Sequence, residues 1–275
     1  MITKFSFLFF TTALWVDSAL AEPVQWNQFR GPNGSGVMNQ CQPPLQIDVA
    51  HATWTVALPP GHSSPVLSDS QLFLTAIDGE RLITMAFDKA SGNLAWRKEA
   101  PKTLIEKVHQ TNSPAASTPW VDAERVVVYF GSFGLLCYDH EGTLLWQKPI
   151  PTPRSLYGMS TSPIAFEDSI ILVLDNENKL PDSELSQSKV IAVDVRTGDL
   201  RWEAPRPLLR SGWSTPMIWS HPGGKDLVVL GHRRLCAYNP STGDVSVMTI
   251  QIPNHSGMPC CLSMRTTTAS CSVVR

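Results

Sequence analysis

Residues 117–146, STPWVDAERVVVYFGSFGLLCYDHEGTLLW, decide the fold class. The stretch opens on Ser-Thr-Pro, passes through two runs of β-branched and aromatic residues, and closes with a glycine turn and Trp146. β-branched and aromatic residues favour strands, whereas Pro is tolerated only at the beginning or edge of a strand. The pattern therefore predicts four short antiparallel strands: one that begins at Pro119, two at residues 126–130 and 135–138, and one that carries Trp146.

Three further stretches, at residues 63–96, 161–202 and 214–247, repeat this order of features. The opening prolines are Pro65, Pro119, Pro163 and Pro216, the turn glycines are Gly92, Gly142, Gly198 and Gly243, and the closing tryptophans are Trp96, Trp146 and Trp202. The corresponding second strands are predicted at 72–77, 126–130, 170–174 and 227–230, and the third strands at 82–87, 135–138, 190–193 and 235–238. The chain is thus built from an internal repeat.

The length of the repeat indicates a β-propeller. The tryptophans of the fourth strands and the similarly placed Trp54 are separated by 42, 50 and 56 residues from Trp54 to Trp202, close to the roughly 40 to 50 of a propeller blade. The longest interval contains a polar insertion at 177–188, which we interpret as a loop. A four-stranded sheet has two apolar faces that neighbouring sheets must cover. We therefore predict an all-β propeller of four-stranded antiparallel blades, with the tryptophans packed between neighbours.

The ring of blades is expected to be incomplete. Residues 22–257 supply about four blades, and Trp54 resembles the last strand of a further blade whose other strands come from elsewhere. Residues 258–275 have no turn and no closing Trp. We interpret them as an anomalous tail that is disordered or arises from a shifted or truncated reading frame. An open ring has exposed strand edges, which favour either aggregation or a dimer that completes the ring.

The first 21 residues differ from the rest. Lys4 precedes a mostly apolar run at 5–16, and Ala19 and Ala21 form a small-x-small cleavage site. This is the pattern of a secretory signal peptide, and the alternative is a buried or membrane-anchoring helix. We expect a periplasmic or secreted protein without a membrane span. With 22 basic and 24 acidic side chains and no basic run, nucleic-acid binding is not expected.

A family resemblance rests on two motifs. Residues 26–36, WNQFRGPNGSG, are similar to the W-x-x-F-R-G-P-x-G-x-G opening of secreted bacterial PQQ-like (pyrroloquinoline quinone) repeat propellers. The D-x-x-x-G-x-x-x-W strand endings at 88–96 and 194–202 match the same family. The resemblance covers roughly residues 24–257. The family is related in fold to the assembly lipoprotein BamB and to quinoprotein alcohol dehydrogenases, and its members usually have seven or eight blades.

The resemblance implies two alternative functions. The first is a non-catalytic binding or assembly scaffold for a protein or small-molecule partner, with no catalytic residues assigned. The second is a PQQ-dependent dehydrogenase of alcohols or sugars, which would need PQQ and calcium as cofactors. No Glu, Asn and Asp set at recognisable positions suggests the calcium that holds PQQ. The scaffold is therefore the preferred interpretation.

Polar residues in the loops that enter the blades form the candidate binding face. Loops at one end of a propeller often line its channel and carry binding functions. The alternative, which the sequence favours, is that these side chains cap strand ends and bond to loop backbone. The candidates are His109, Asn112, Arg206, Arg210, Trp213 and Thr215.

The other reactive residues point to no site. Cys260-Cys261 resembles the vicinal disulfide of quinoprotein dehydrogenases, but its position in the tail favours a chance product. The six Cys show no framework spacing, and the remaining His residues are scattered without metal-ligand spacing. Residues 30–34 lack the Lys-Ser/Thr of a phosphate loop, so they are interpreted as a turn that seats the N-terminal strand.

Overall fold

The computed structural model describes residues 26–38, 45–46, 48–177, 181, 187–206, 211, 213–232 and 234–251. Within these ranges the chain forms sixteen strands in four sheets. The helical elements there are two short 3-10 turns, Pro32–Gly34 and Val49–His51, and neither is a helix that could span a bilayer. The predicted signal peptide, most of the predicted insertion, and the tail at 258–275 lie outside the described residues.

Each sheet contains four consecutive strands, paired antiparallel in chain order. Sheet 1 comprises β1 Val66–Leu67, β2 Gln71–Asp78, β3 Arg81–Asp88 and β4 Leu94–Glu99. Sheet 2 comprises β5 Trp120–Val121, β6 Arg125–Phe130, β7 Gly134–Asp139 and β8 Leu144–Pro149. Sheet 3 comprises β9 Ile164–Phe166, β10 Ser169–Leu174, β11 Lys189–Asp194 and β12 Leu200–Pro205. Sheet 4 comprises β13 Met217–His221, β14 Gly224–Gly231, β15 Arg234–Tyr238 and β16 Val245–Gln251. These sheets confirm the predicted incomplete propeller of four blades.

The hydrophobic core lies between successive sheets. The second and third strands of a sheet are the most buried, and β10 is buried along its whole length. The fourth strands of sheets 1 to 3 are mostly exposed except for Ala204 and for their tryptophans, Trp96, Trp146 and Trp202. Three buried clusters join sheets 1 and 2, 2 and 3, and 3 and 4. Burying a large apolar side chain contributes about 1.5–3 kcal/mol, so these clusters are the main cause of stacking.

The repeated tryptophan and glycine form one contact, which we call the Trp–Gly contact. Each tryptophan ring lies over the turn glycine of the next sheet, where an added Cβ would be between 2.5 and 2.8 Å from the ring. The indole Nε1 also donates to a backbone carbonyl one or two residues after the third strand of that next sheet. The four donor and acceptor pairs are Trp54 with Lys89, Trp96 with His140, Trp146 with Val195 and Trp202 with Pro240.

An Asp or Asn at the end of each third strand, or directly after it, shapes the glycine turn. The Asp88 and Asp194 carboxylates accept hydrogen bonds from backbone N–H groups two or three residues further on, and Asn239 does the same with its amide oxygen. Hydrogen bonds from Ser91 hold the pKa of Asp88 below its usual value. Asx turns of this kind allow the following glycine to adopt a positive φ. Aspartate and glycine therefore recur together because both are needed to form the turn.

The Ser/Thr-Pro openings form a second repeated contact, the hydroxyl belt. The backbone N–H of each opening donates to a hydroxyl of the next sheet's opening. The pairs are Ser64 to Thr118 at 3.0 Å, Thr118 to Ser162 at 3.0 Å, and Ser162 to Thr215 at 3.1 Å. These bonds bring the first strands of the four sheets side by side around a common centre.

The N-terminal motif crosses this centre. Trp26 O accepts from Leu67 N, and Asn27 O accepts from Val121 N, both at 2.9 Å. Asn33 reaches Ile218 in β13, where its Nδ2 donates to the carbonyl at 2.6 Å and its Oδ1 accepts from the N–H at 3.1 Å. One segment thus contacts the first strands of sheets 1, 2 and 4. The turn at residues 30–34 was predicted only to seat the N-terminal strand, but through Asn33 it also contacts sheet 4.

Trp54 differs from the expectation in one respect. Its ring packs on Gly92 as the repeat predicts, and its Nε1 donates to Lys89 O at 3.0 Å. However, residues 52–65 form no strand. Trp54 therefore packs as the last strand of a preceding blade would, although residues 52–65 do not pair with another strand. A dimer that completes the ring stays a prediction.

Candidate functional site

The connections between sheets gather at one end of the molecule, which we call the loop end. They run through residues 100–119, 150–163 and 206–216, from the fourth strand of one sheet to the first strand of the next. The turns of the Trp–Gly contacts lie at the opposite end, because the strands are antiparallel. The predicted binding residues all belong to these connections.

Three aromatic side chains from three connections meet at the loop end. We call His109, Tyr157 and Trp213 the aromatic cluster. The His109 and Tyr157 rings are 5.0 Å apart between centroids, and the Tyr157 and Trp213 rings are 5.4 Å apart in an edge-to-face arrangement. Asn112 Nδ2 donates to Tyr157 O at 2.7 Å. The structure therefore brings together three of the predicted residues, around a tyrosine that the sequence analysis missed.

Trp213 has two unusual features. Its φ is +50°, a region that bulky residues rarely occupy and that costs about 1–3 kcal/mol. Its indole Nε1 is buried with no hydrogen-bond partner in the described part of the chain. A small cavity of about 10 Å³, roughly the space of one water, adjoins it and is also lined by Asp175. Strain and an unpaired donor together are typical of positions kept for function rather than stability.

Arg206 is not part of this face. Its side chain is completely buried, with Nε and Nη2 bonded to the two Asp175 oxygens at 2.7 and 2.9 Å and Nη1 to the Tyr238 hydroxyl at 2.6 Å. Burial alone would lower the pKa of Arg206, but the Asp175 carboxylate outweighs it and raises the pKa. Burial raises the pKa of the Asp175 carboxyl, and the charge and hydrogen bonds of Arg206 oppose that shift, in a bidentate pair of the strong, charge-assisted kind. The expectation that Arg206 faces a ligand is therefore corrected, because this ion pair encloses it.

The last two predicted residues have different outcomes. Thr215 uses its hydroxyl in the hydroxyl belt, where it accepts from Ser162 N. That contact is the structural role that the sequence analysis gave as the alternative. Arg210 lies outside the described residues.

A cleft of about 330 Å³ opens beside the aromatic cluster. Its lining combines acidic, basic and apolar side chains from the connections before sheets 2 and 3 and from the segment after β10. One wall is held by Glu177, whose Oε2 accepts from Ser155 Oγ at 2.9 Å and from the backbone N–H groups of Leu156 and Tyr157. The lining residues are Glu106, Lys107, Thr152, Pro153, Arg154, Ser155, Leu156 and Glu177.

Glu106 lies in this cleft with a largely buried carboxyl group. Burial raises its pKa to about 7, although the Met159 N–H opposes the shift. Its Oε1 is buried and has no hydrogen-bond partner among the described residues. The carboxyl lies over Gly131, where any Cβ would collide with Oε1. A half-protonated carboxyl at neutral pH is typical of functional sites.

Potential metal ligands do not cluster among the described residues. No three His, Cys, Asp or Glu side chains of the described ranges come together in a group that could hold a metal ion. Cys137 and Cys236 are buried free thiols, and the Cys260-Cys261 pair lies outside the described residues.

Comparisons with known proteins agree with this fold. A family model described as outer membrane protein assembly factor BamB matches residues 48–180. BamB from Moraxella catarrhalis is 16% identical, with a TM-score of 0.50 over 72% of this chain and 54% of that one. Quinohemoprotein alcohol dehydrogenase from Comamonas testosteroni is 13% identical, with a TM-score of 0.51 over 70% of this chain and 35% of that one. No curated protein matches the sequence.

The structural comparisons cover only part of each of these two known proteins. The chain spans about half the length of that BamB and about a third of that dehydrogenase. At these identities the structural likeness shows the fold alone. The family match covers β1 to β10, and sheets 3 and 4 continue the same repeat beyond it. Together, the family match over residues 48–180 and the four repeated sheets make this chain similar to PQQ-like repeat β-propellers, and its fold is that of an incomplete propeller.

Proposed function

We propose that this chain is a non-catalytic binding or assembly scaffold that engages a protein partner through its loop end. The observation that carries the proposal is the aromatic cluster, which joins three connections at a solvent-facing surface. Tyr157 is 45% exposed and the neighbouring Leu156 is 62% exposed. Tyr and Trp dominate the binding energy of protein interfaces, and exposed large apolar side chains beside a cleft mark interaction sites.

The remainder of the loop end supports a binding role. Loops set on a rigid scaffold are where proteins place their binding residues. Glu177 and Asn112 fix the backbone around Tyr157, so the surface is ordered before a partner arrives. Such preorganisation reduces the entropic cost of association.

The proposal is tested by selecting binders from a displayed library of random peptides against the whole chain. We expect enriched peptides whose affinity for Tyr157→Ala falls by a factor of about 30 or more, the effect of an interface hot spot. Leu144→Ala is the matched control, because Leu144 is also 45% exposed but lies in β8, on the outer strand of sheet 2. This control is expected to bind like wild type.

Two results would overturn the proposal. One is the absence of any enriched peptide, or peptides that lose as much affinity with Leu144→Ala as with Tyr157→Ala. The other is turnover of alcohols or sugars by the purified chain after addition of PQQ and calcium, since that would make it an enzyme.

The proposed site of action is outside the cytoplasm. The support is the pattern of residues 1–21, with Lys4, an apolar run and the Ala19 and Ala21 cleavage positions. A fusion of residues 1–21 to alkaline phosphatase, which is active only after export, is expected to give active enzyme. A fusion that stays inactive would count against export.

A further inference from the structure

We propose that Asn33 is a site of spontaneous deamidation, and that the carboxylate formed there releases sheet 4 from the N-terminal motif. The inference goes beyond the proposed function, because it concerns a contact between repeats rather than the loop end. The two hydrogen bonds between the Asn33 side chain and the backbone of Ile218 are called here the Asn33 bridge. Asn33 is exposed and is followed directly by Gly34.

The residue after Asn33 favours the reaction. In deamidation, the backbone nitrogen of the following residue attacks the carbonyl carbon of the asparagine side chain, and a side chain on that residue hinders the approach. Glycine has no side chain to hinder it. Asn33 and Gly34 form the one Asn-Gly pair in the whole sequence. Asn33 is therefore the asparagine of this chain with the least hindered reaction.

The reaction needs only water. Attack forms a bond between Gly34 N and Asn33 Cγ, and the bond between Cγ and Nδ2 breaks. The side-chain nitrogen leaves as ammonia and takes the proton of the Gly34 N–H. Water then opens the five-membered ring at one of its two carbonyl carbons, which leaves either an aspartate or an isoaspartyl linkage at position 33.

The fold slows this reaction without preventing it. Gly34 N donates to Gly31 O at 2.9 Å, so the attacking nitrogen is engaged. The bridge to Ile218 engages both polar atoms of the Asn33 side chain. These bonds must open before the ring can close. Because the bridge is exposed and exposed hydrogen bonds contribute little to stability, local opening is expected to occur often. The bridge therefore controls the rate.

The product cannot form the same bridge. Asn33 Nδ2 donates to Ile218 O at 2.6 Å, whereas a carboxylate is ionised at neutral pH and only accepts hydrogen bonds. Two acceptor oxygens at this distance repel each other, and the exposed side chain turns to water instead. An isoaspartyl linkage adds one carbon to the backbone and displaces the side chain as well. Since ammonia is lost, the bridge does not re-form.

The consequence is a local loosening rather than unfolding. The segment that carries Asn33 also accepts hydrogen bonds from Leu67 N and Val121 N, in sheets 1 and 2. Those bonds use the carbonyl groups of Trp26 and Asn27 and do not depend on position 33. Sheet 4 keeps its buried cluster with sheet 3 and its part in the hydroxyl belt. Deamidation thus detaches the first strand of sheet 4 from the N-terminal motif alone.

The first experiment measures the rate of deamidation in the whole chain. The folded chain and a synthetic peptide of residues 26–36 are incubated at mildly alkaline pH, and peptide mapping by mass spectrometry follows the loss of the amide. We expect modification at Asn33 in both, about tenfold slower in the folded chain because the bridge must open. Asn93 is the internal control, since it is also exposed but is followed by Leu94. It is expected to stay unmodified.

The second experiment removes half of the bridge without changing Asn33. Ile218→Pro eliminates the N–H that donates to Asn33 Oδ1, and Pro is tolerated in β13 because this is an edge strand. Deamidation of Asn33 is expected to be several-fold faster in this variant than in wild type. Circular dichroism checks that the variant folds. Equal rates in the two folded chains would show that the bridge does not control the reaction.

The third experiment tests what the product does, and it does not depend on Ile218→Pro. Asn33→Asp reproduces the aspartate product, and we expect hydrogen exchange of the Ile218 amide to be at least about fivefold faster than in wild type. Asn93→Asp adds the same charge at an exposed position away from the bridge, and its Ile218 amide is expected to exchange like wild type.

Each half of the proposal has a result that would overturn it. Asn33 that remains intact in the folded chain after the peptide has fully converted, or modification of Asn93 at the same rate as Asn33, would show that position 33 is not a deamidation site. Unchanged exchange of the Ile218 amide in Asn33→Asp would show that the carboxylate does not release sheet 4. Neither result would affect the proposed function of the loop end.

Discussion

Contacts between the sheets are of two kinds: those that recur in every repeat and those that occur once. The Trp–Gly contact and the hydroxyl belt recur from sheet to sheet with nearly the same distances. The Arg206 ion pair, the Asn33 bridge and the Glu106 carboxyl each occur once. The recurring contacts explain why the sheets stack, whereas the single contacts show where the chain has acquired properties that its repeat does not supply.

The largest expected effect breaks a contact that occurs once. Asp175→Asn leaves the buried Arg206 guanidinium without its counter-charge, and removal of one partner of a buried ion pair costs about 3–5 kcal/mol. Glu203→Gln is the control, since Glu203 pairs with Lys189 at the surface and such pairs contribute about 0–1 kcal/mol. Urea unfolding of both variants gives the comparison. Equal losses would show that the buried pair has no special role.

A smaller effect is expected from a recurring contact. Gly198→Ala forces a side chain into a position with φ +74° where its Cβ would be 2.6 Å from the Trp146 ring, and we expect a loss of about 2–4 kcal/mol from strain and overpacking together. Gly79→Ala is the matched control, because Gly79 has φ +60° but nothing within 4 Å of an added Cβ. It should cost about 1–2 kcal/mol, the strain of an L-residue in the left-handed conformation alone. Similar losses in both variants would mean that conformation, rather than tryptophan packing, requires Gly198.

The smallest effect concerns the bridge between the N-terminal motif and sheet 4. Asn33→Gly removes two hydrogen bonds to Ile218 without strain, since glycine tolerates the φ of +51° found at this position. Exposed hydrogen bonds contribute little, so the free energy of unfolding should fall by about 1 kcal/mol. Hydrogen exchange of the Ile218 amide should accelerate in parallel. An unchanged exchange rate would show that the bridge does not form in solution.

The recurring contacts could be predicted from the sequence because the same residue types recur at the same places. Four glycines, three tryptophans and four Ser/Thr-Pro openings align without knowledge of the structure. Their alignment implied that each tryptophan meets a neighbouring sheet, and the structure confirms it. Four aligned copies of the motif therefore supported the prediction more strongly than one copy could.

The single contacts could not be predicted in this way. Arg206 is a polar loop residue, which indicates exposure, and its burial depends on Asp175 and Tyr238, which lie 31 and 32 residues away. Tyr157 has no counterpart at the same place in other units, so nothing in the sequence indicated it. The burial of Glu106 depends on Gly131 in the following turn. Such features arise from the packing of loops from different repeats, which local patterns do not encode.

The central claim is that the loop end is shaped for a partner rather than for stability, and Glu106 tests it most directly. Because burial raises the pKa of Glu106 to about 7, the folded chain binds more protons than the unfolded chain between its unfolded value and about 7, and stability falls as the pH rises through this range.

The deciding measurement is the free energy of unfolding of wild type and Glu106→Gln at about pH 5 and about pH 8. We expect the variant to match wild type at the lower pH and to be more stable at the higher pH, because the unpaired charge is gone. A variant that is less stable than wild type at both pH values would show that Glu106 supports the fold, and would contradict the account.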